Sequence, residues 1–136
     1  MNKEFIPYEQ ALELKELGFN EVCFGRYWIK EFQLRSPDNW NSSNQKIDSV
    51  SAPLYQQAFR WFREKYDLDY SILPESSSGH RLLFRTYNIV LFRYYMNMNV
   101  QPETLRDGNG DVIRYNNREE AELACLKKLI EIIKNK

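Results

Sequence analysis

Three stretches of this sequence hold side chains of the kinds that do chemistry. The single histidine, His80, follows Ser76, Ser77 and Ser78, and serine beside histidine is the raw material of nucleophilic catalysis. That chemistry needs base and nucleophile held within bonding reach. Ser76-Ser-Ser-Gly79 instead reads as a loose turn, and no Gly-x-Ser-x-Gly elbow supports it. His80 is therefore expected to be a solvated turn histidine, and the chain is expected not to be an enzyme. Asp107-Gly-Asn-Gly-Asp111 sets oxygen side chains at the first, third and fifth positions of a calcium-loop pattern. The sixth position is Val112 where glycine is needed, and the twelfth is Arg118 where a bidentate glutamate is needed. A hairpin turn is expected instead, with Asn109-Gly110 meeting the positive-φ requirement of type I′. Glu119 and Glu120 read as first-turn helix charges. Cys23 and Cys125 form no Cys-x-x-Cys pair, so they read as reduced core residues and not as zinc ligands. No metal or cofactor is expected.

The third stretch concerns binding. No acidic residue lies between Ser76 and Gln101, while His80, Arg81, Arg85 and Arg93 lie among Phe84, Tyr87, Tyr94 and Tyr95. Arginines beside aromatic rings can hold phosphates and stack bases. On an unbroken strand Arg81, Arg85, Arg93 and Tyr95 share parity and so one face, which makes them the candidate binding residues. Arg60 and Arg63 would add to that face only if the helix carrying them lay beside it. Lys+Arg and Asp+Glu both number 19, so the chain lacks the basic footprint of a nucleic-acid binder. The plainer expectation is a solvated sheet face whose arginine stems cover neighbouring rings. Charge balance also weakens colloidal repulsion and favours self-association.

The elements that must position these residues begin with a helix that has Pro7 in its first turn, ended by Leu17-Gly-Phe19 in the Schellman pattern. Glu21 to Ile29 predicts a strand, and Lys30 to Arg35 its hairpin partner, turning near Ile29 to Glu31. Ser36 to Ser51 predicts a loop. Ser51 to Tyr66 then predicts an amphipathic helix, capped by Ser51 with Pro53 in its first turn. Its aromatic arc (Tyr55, Phe59, Trp61, Phe62, Tyr66) spans roughly 160° of the wheel and must be covered by something broad, most simply a sheet. Asp69 to Pro74 predicts a short strand stopped by proline. His80 to Met98 predicts one long strand, or two bent near Thr86 to Asn88, with a helix as the competing reading. Val112 to Tyr115 predicts a last short strand. Asn117-Arg-Glu-Glu120 is a capping-box signature that opens a final helix.

The blocks Glu4 to Ala11, Leu14 to Phe19, Ser51 to Tyr66 and Glu119 to Glu131 resemble uncharacterised small proteins of gut-bacterial phages and mobile elements. The resemblance implies a cytoplasmic accessory protein and brings no known activity, so no functional residue carries over from it.

Together these readings predict a single α+β domain over residues 1–136. It would hold an antiparallel sheet of four to five strands and about three helices, in the order α-β-β-α-β-β-(β)-α. The opening residues lack the long apolar run of a signal peptide and no segment is long enough to span a bilayer, so a cytoplasmic location without membrane contact is expected. The expected function is a non-enzymatic binding or interaction protein, its partner another protein or a second copy. The alternative is a nucleic-acid accessory protein using the arginine and aromatic face.

Overall fold

A computed structural model of the protein describes residues 2–34, 49–76, 85–93 and 101–135. The fold is α+β. It has three α-helices and two three-stranded antiparallel sheets among the described residues, where the sequence pattern predicts one sheet of four to five strands. The chain divides into two compact units, Met1–Trp61 with Leu126–Lys136, and Phe62–Cys125.

In the first unit, α1 (Tyr8–Glu16) ends as predicted, while Pro7 is its extended N-cap and not part of the first turn. Gly18 takes φ 96°, its N–H donates to the Lys15 carbonyl, and the Phe19 N–H reaches back to the Leu14 carbonyl at 2.9 Å. This is the double bond pattern of a Schellman cap, and it drops the Phe19 ring into the core at 1 % exposure. Three strands follow: β1 (Gly25–Trp28), β2 (Glu31–Leu34) and β3 (Ser49–Ala52), in spatial order β2-β1-β3. The predicted hairpin is present, with Trp28 opposite Glu31 across a two-residue turn. The Ser36 to Ser51 loop needs correction at its end. Residues 36–48 lie outside the described residues, but Ser49–Ala52 pairs with β1, Val50 facing Tyr27 and Ala52 facing Gly25. Small residues with little strand propensity are held extended there by their partner strand. Ser51 is therefore not a helix cap: α2 (Tyr55–Tyr66) begins four residues later, with the Leu54 carbonyl accepting the Ala58 N–H.

Gly25 is required where it stands. A Cβ there would meet the Phe32 ring at 2.7 Å and Phe5 at 3.0 Å, so the backbone of β1 is itself part of the aromatic packing. Tyr27 joins the same cluster, edge-on to Tyr8 and Phe32. Its hydroxyl donates to the Ile6 carbonyl at 2.7 Å, and burial pushes its pKa up.

The predicted aromatic arc of α2 is buried, with Tyr55, Ala58, Phe59, Trp61 and Phe62 inside and Arg60, Arg63, Glu64 and Lys65 outside. The helix stops where Asp67 enters the left-handed region at φ 55°. The second unit then runs through β4 (Leu68–Ser76), β5 (Arg85–Arg93) and β6 (Gln101–Thr104), ordered β4-β5-β6. Two corrections concern proline. β4 runs through Pro74 instead of stopping there, and β6 forms around Pro102 where the sequence pattern marks no strand. Both are edge strands, where a missing N–H is tolerated. Tyr87 exchanges both backbone bonds with Tyr115, so its polar groups point away from β4. Pro74, paired with Tyr87, therefore turns its nitrogen outward. The Ile89 carbonyl accepts the Leu105 N–H on the β6 side. By the alternation of an antiparallel ladder, Pro102 opposite Phe92 also turns its nitrogen outward.

The predicted strand at Val112 to Tyr115 reduces to isolated bridges, Arg106 with Val112 and Tyr87 with Tyr115. The loop before it is a hairpin turn, though not of type I′. Among its residues only Gly110 has positive φ, at 85°. Its N–H donates to the Asp107 carbonyl, and the Asp107 N–H to the Asp111 carbonyl. A type I turn followed by a left-handed glycine has this pattern. Asp107 Oδ1 accepts from both the Asn109 and Asp111 N–H groups, so that oxygen holds the loop. The last helix, α3 (Arg118–Lys134), is capped as expected, with the Glu120 N–H donating to Asn117 Oδ1 at 2.8 Å. Ala121, Cys125, Leu126, Leu129, Ile130 and Ile133 form its buried stripe. Cys23 and Cys125 are both buried free thiols. No helix among the described residues is long and apolar enough to cross a membrane.

Candidate functional site: the β1–β2 hairpin

The arginine row comes first, because the sequence singled it out. Arg81 and Tyr95, like His80, lie outside the described residues. Arg85 and Arg93 stand at the two ends of β5, which runs without a break, so the predicted shared parity holds for this pair. Between them on that parity lie Ile89 and Leu91, at 0 % and 1 % exposure. Ile89 and Leu91 thus mark the covered face of the sheet. Arg93 lies 3.9 Å from Glu103, and its Nε is buried without a hydrogen-bond partner. Of the expected binding residues Arg81, Arg85, Arg93 and Tyr95, only the strand positions of Arg85 and Arg93 and the surroundings of the Arg93 side chain are therefore described. Alternation alone cannot reveal which face of a strand is covered when both faces carry apolar residues. Arg60 and Arg63 also have carboxylates near them, Glu21 at 3.6 Å and Asp69 at 3.9 Å.

The β1–β2 hairpin is different. Its inner face carries Gly25, Tyr27 and Phe32. Its outer face carries Arg26 and Trp28, with Gln33 and Glu31 beside them, and Phe24 precedes the strand. Phe24 is 55 % exposed and Trp28 38 %. The Arg26 guanidinium lies over the Trp28 ring at 5.5 Å, and its Nε and Nη2 both donate to Gln33 Oε1, at 3.3 and 3.1 Å. Among the described residues no carboxylate pairs with Arg26. Arg26 is a cation held over the exposed Trp28 ring by its bonds to Gln33.

The tip is stranger. Ile29 and Lys30 occupy the two turn positions with φ 48° and 66°. A two-residue hairpin turn needs positive φ at both positions, which is why Asn-Gly is the usual solution. A β-branched residue in the left-handed region is a conformational outlier that costs on the order of 1–3 kcal/mol. Ile29 bears that cost while leaving its side chain 66 % exposed, so the core gains nothing from it. Leu34 at the other end of β2 is 55 % exposed.

The chemistry available to this face is adhesion. Trp28 and the tip residue Ile29 offer apolar area, and Arg26 offers one directional charge. Among the described residues no group of three or more His, Cys, Asp or Glu side chains stands close enough to hold a metal ion. No protein-family model, curated protein or solved structure matches the chain.

Proposed function

We propose that this chain is a non-enzymatic interaction protein that docks a partner on the outer face and tip of its β1–β2 hairpin. The observation that carries this is Ile29, an apolar side chain held in solvent at a strained turn position. Strain of this kind persists where a function uses it, and exposed apolar clusters rimmed by polar groups mark interaction sites. The accessory setting in phages or mobile elements rests on the sequence resemblance alone. A nucleic-acid reading through Arg81, Arg85, Arg93 and Tyr95 has less support, since buried Ile89 and Leu91 lie between Arg85 and Arg93 on their own face.

Replacing Ile29→Asn together with Lys30→Gly gives the turn the residues its geometry prefers and deletes the apolar tip. The double variant is expected to be more stable than the parent, by about 1 kcal/mol, and to lose the partner that the immobilised parent captures from lysate of the cells that encode it. Capture undiminished in the double variant overturns the reading.

A further inference from the structure

We propose that β2 is a seam at which two copies of this chain pair edge to edge, joining two three-stranded sheets into one of six strands. This rests on the reading of the hairpin as an interaction element and names a second copy as the occupant of its edge.

The two edges of this sheet are unlike. β3 is buried along its whole length, whereas β2 is exposed at both ends and half-buried between. β2 is terminal in the strand order, so among the described residues nothing pairs with its outer side. Free edges are ordinarily blunted by proline, bulges or several charges. Glu31-Phe-Gln-Leu34 has no proline, runs in unbroken register with β1, and carries one charge.

The hydrogen-bond phase fixes which groups are free. Across a two-residue turn Trp28 and Glu31 form the closing bonded pair, so by alternation Arg26 and Gln33 are bonded as well. Phe32 and Leu34 therefore direct their N–H and C=O groups outward. An antiparallel copy about a two-fold axis at Phe32 sets Phe32 against the partner's Phe32 as a bonded pair. Leu34 then meets the partner's Lys30, whose aliphatic stem can cover it, and Gln33 meets the partner's Glu31.

That last pairing is where the charges complement each other. Gln33 Oε1 is already occupied by Arg26, which leaves its amide nitrogen as a donor. Glu31 is exposed, and among the described residues no cation pairs with it. Pairing creates the row Arg26, Gln33, partner's Glu31 on one face, spanning two strand spacings of about 4.8 Å each. It links a cation lacking an acid to an acid lacking a cation through an amide already turned the right way. Two-fold symmetry makes the same row twice. The chain's zero net charge opposes the approach of a second copy with no overall repulsion.

Sedimentation across a concentration series tests this. The parent is expected to form a dimer. Glu31→Arg, on an exposed side chain, should raise the dimer dissociation constant at least about tenfold by setting like charges together, with the circular dichroism of the fold unchanged. Arg26→Glu should do likewise, and the double exchange Arg26→Glu with Glu31→Arg should restore the dimer. A parent that stays monomeric throughout, or a dimer indifferent to Glu31→Arg, overturns the seam. A monomer that still loses its captured partner when the tip is replaced overturns the seam while leaving the interaction reading standing. A dimer with the charge-exchange pattern whose tip variant captures as before supports the seam and overturns the docking face.

Discussion

Among the described residues the two sheets each have three antiparallel strands, yet they treat their boundaries in opposite ways. In β4-β5-β6 each edge strand holds a proline, Pro74 and Pro102, whose missing N–H falls on the outward side. Charged pairs lie along the same sheet: Arg93 near Glu103, and Arg114 Nε donating to Glu75 Oε2 at 2.9 Å. Glu75 also receives Asn88 Nδ2 at 2.6 Å, which partners one end of a side chain only 6 % exposed. In β2-β1-β3 one edge is buried, the other has no partner among the described residues, and the outer face beside it displays the Trp28 ring. A sheet built only for stability would close both edges and keep its aromatics inside. Among the described residues the first sheet does neither, and this contrast is what supports the proposed docking role of its hairpin.

The sharpest way to break this contrast is to truncate one side chain on each sheet. Leu91, 1 % exposed on the covered face of β5, should cost about 2–5 kcal/mol when replaced by alanine. Trp28→Ser, on the outer face of β1, should cost under about 1 kcal/mol, mostly the lost contact with Arg26. Denaturant unfolding of both variants checks the pair. Similar losses would mean that the outer face of the hairpin is as covered as the face of Leu91, and the contrast would fail.

A smaller effect tests the edges. Pro74→Ala and Pro102→Ala each restore an outward N–H. Each should lower stability by about 0.4–1 kcal/mol through the freer unfolded chain, and light scattering should show new self-association of the pair relative to the parent. No change in association would mean that these prolines do not guard the edges.

Much of this fold was legible where one period dominates. The arc of α2 and the stripe of α3 repeat at helical spacing, and the caps at Gly18 and Asn117 announce themselves by residue type. The hairpin could be placed because aromatic and β-branched residues run up to Ile29 and alternation resumes at Phe32. What escaped was structure decided by partners. Ser49–Ala52 is a strand because β1 pairs with it, and Pro74 and Pro102 sit in strands because their nitrogens face outward, a fact of position in the sheet. The binding row through Arg85 and Arg93 had the right parity, but which parity is covered is a tertiary fact. The hairpin face was missed for a related reason. Phe24, Tyr27 and Trp28 occupy both parities, so β1 reads as buried on both sides. One signal was present, the unsuitability of Ile29-Lys30 for a tight turn, which amounts to a local rule broken without local gain.

The smallest prediction sets the ion pairs of the two units against each other. In the second unit Glu122 lies 3.9 Å from Arg118 with a side chain 20 % exposed. Its pKa is raised, chiefly because burial penalises the carboxylate, with Glu119 adding repulsion and Arg118 opposing both. The folded state thus holds this proton more tightly than the unfolded chain does. Stability should therefore decline as pH rises from the ordinary glutamate range through the raised value, because the unfolded state ionises first. In the first unit Lys134 donates to Glu13 at 2.8 Å and lies 3.7 Å from Glu16, and its pKa is raised chiefly by the hydrogen bond to Glu13. Its contribution is present below the ordinary lysine range and fades as pH climbs through the raised value, far into alkali. Glu122→Gln should flatten the decline just above the glutamate range and leave the alkaline limb as it was, whereas Lys134→Met should lower stability evenly below the lysine range and flatten the alkaline decline. Unfolding midpoints across pH decide it. A decline that persists in Glu122→Gln would assign it to another group and remove Glu122 from the comparison.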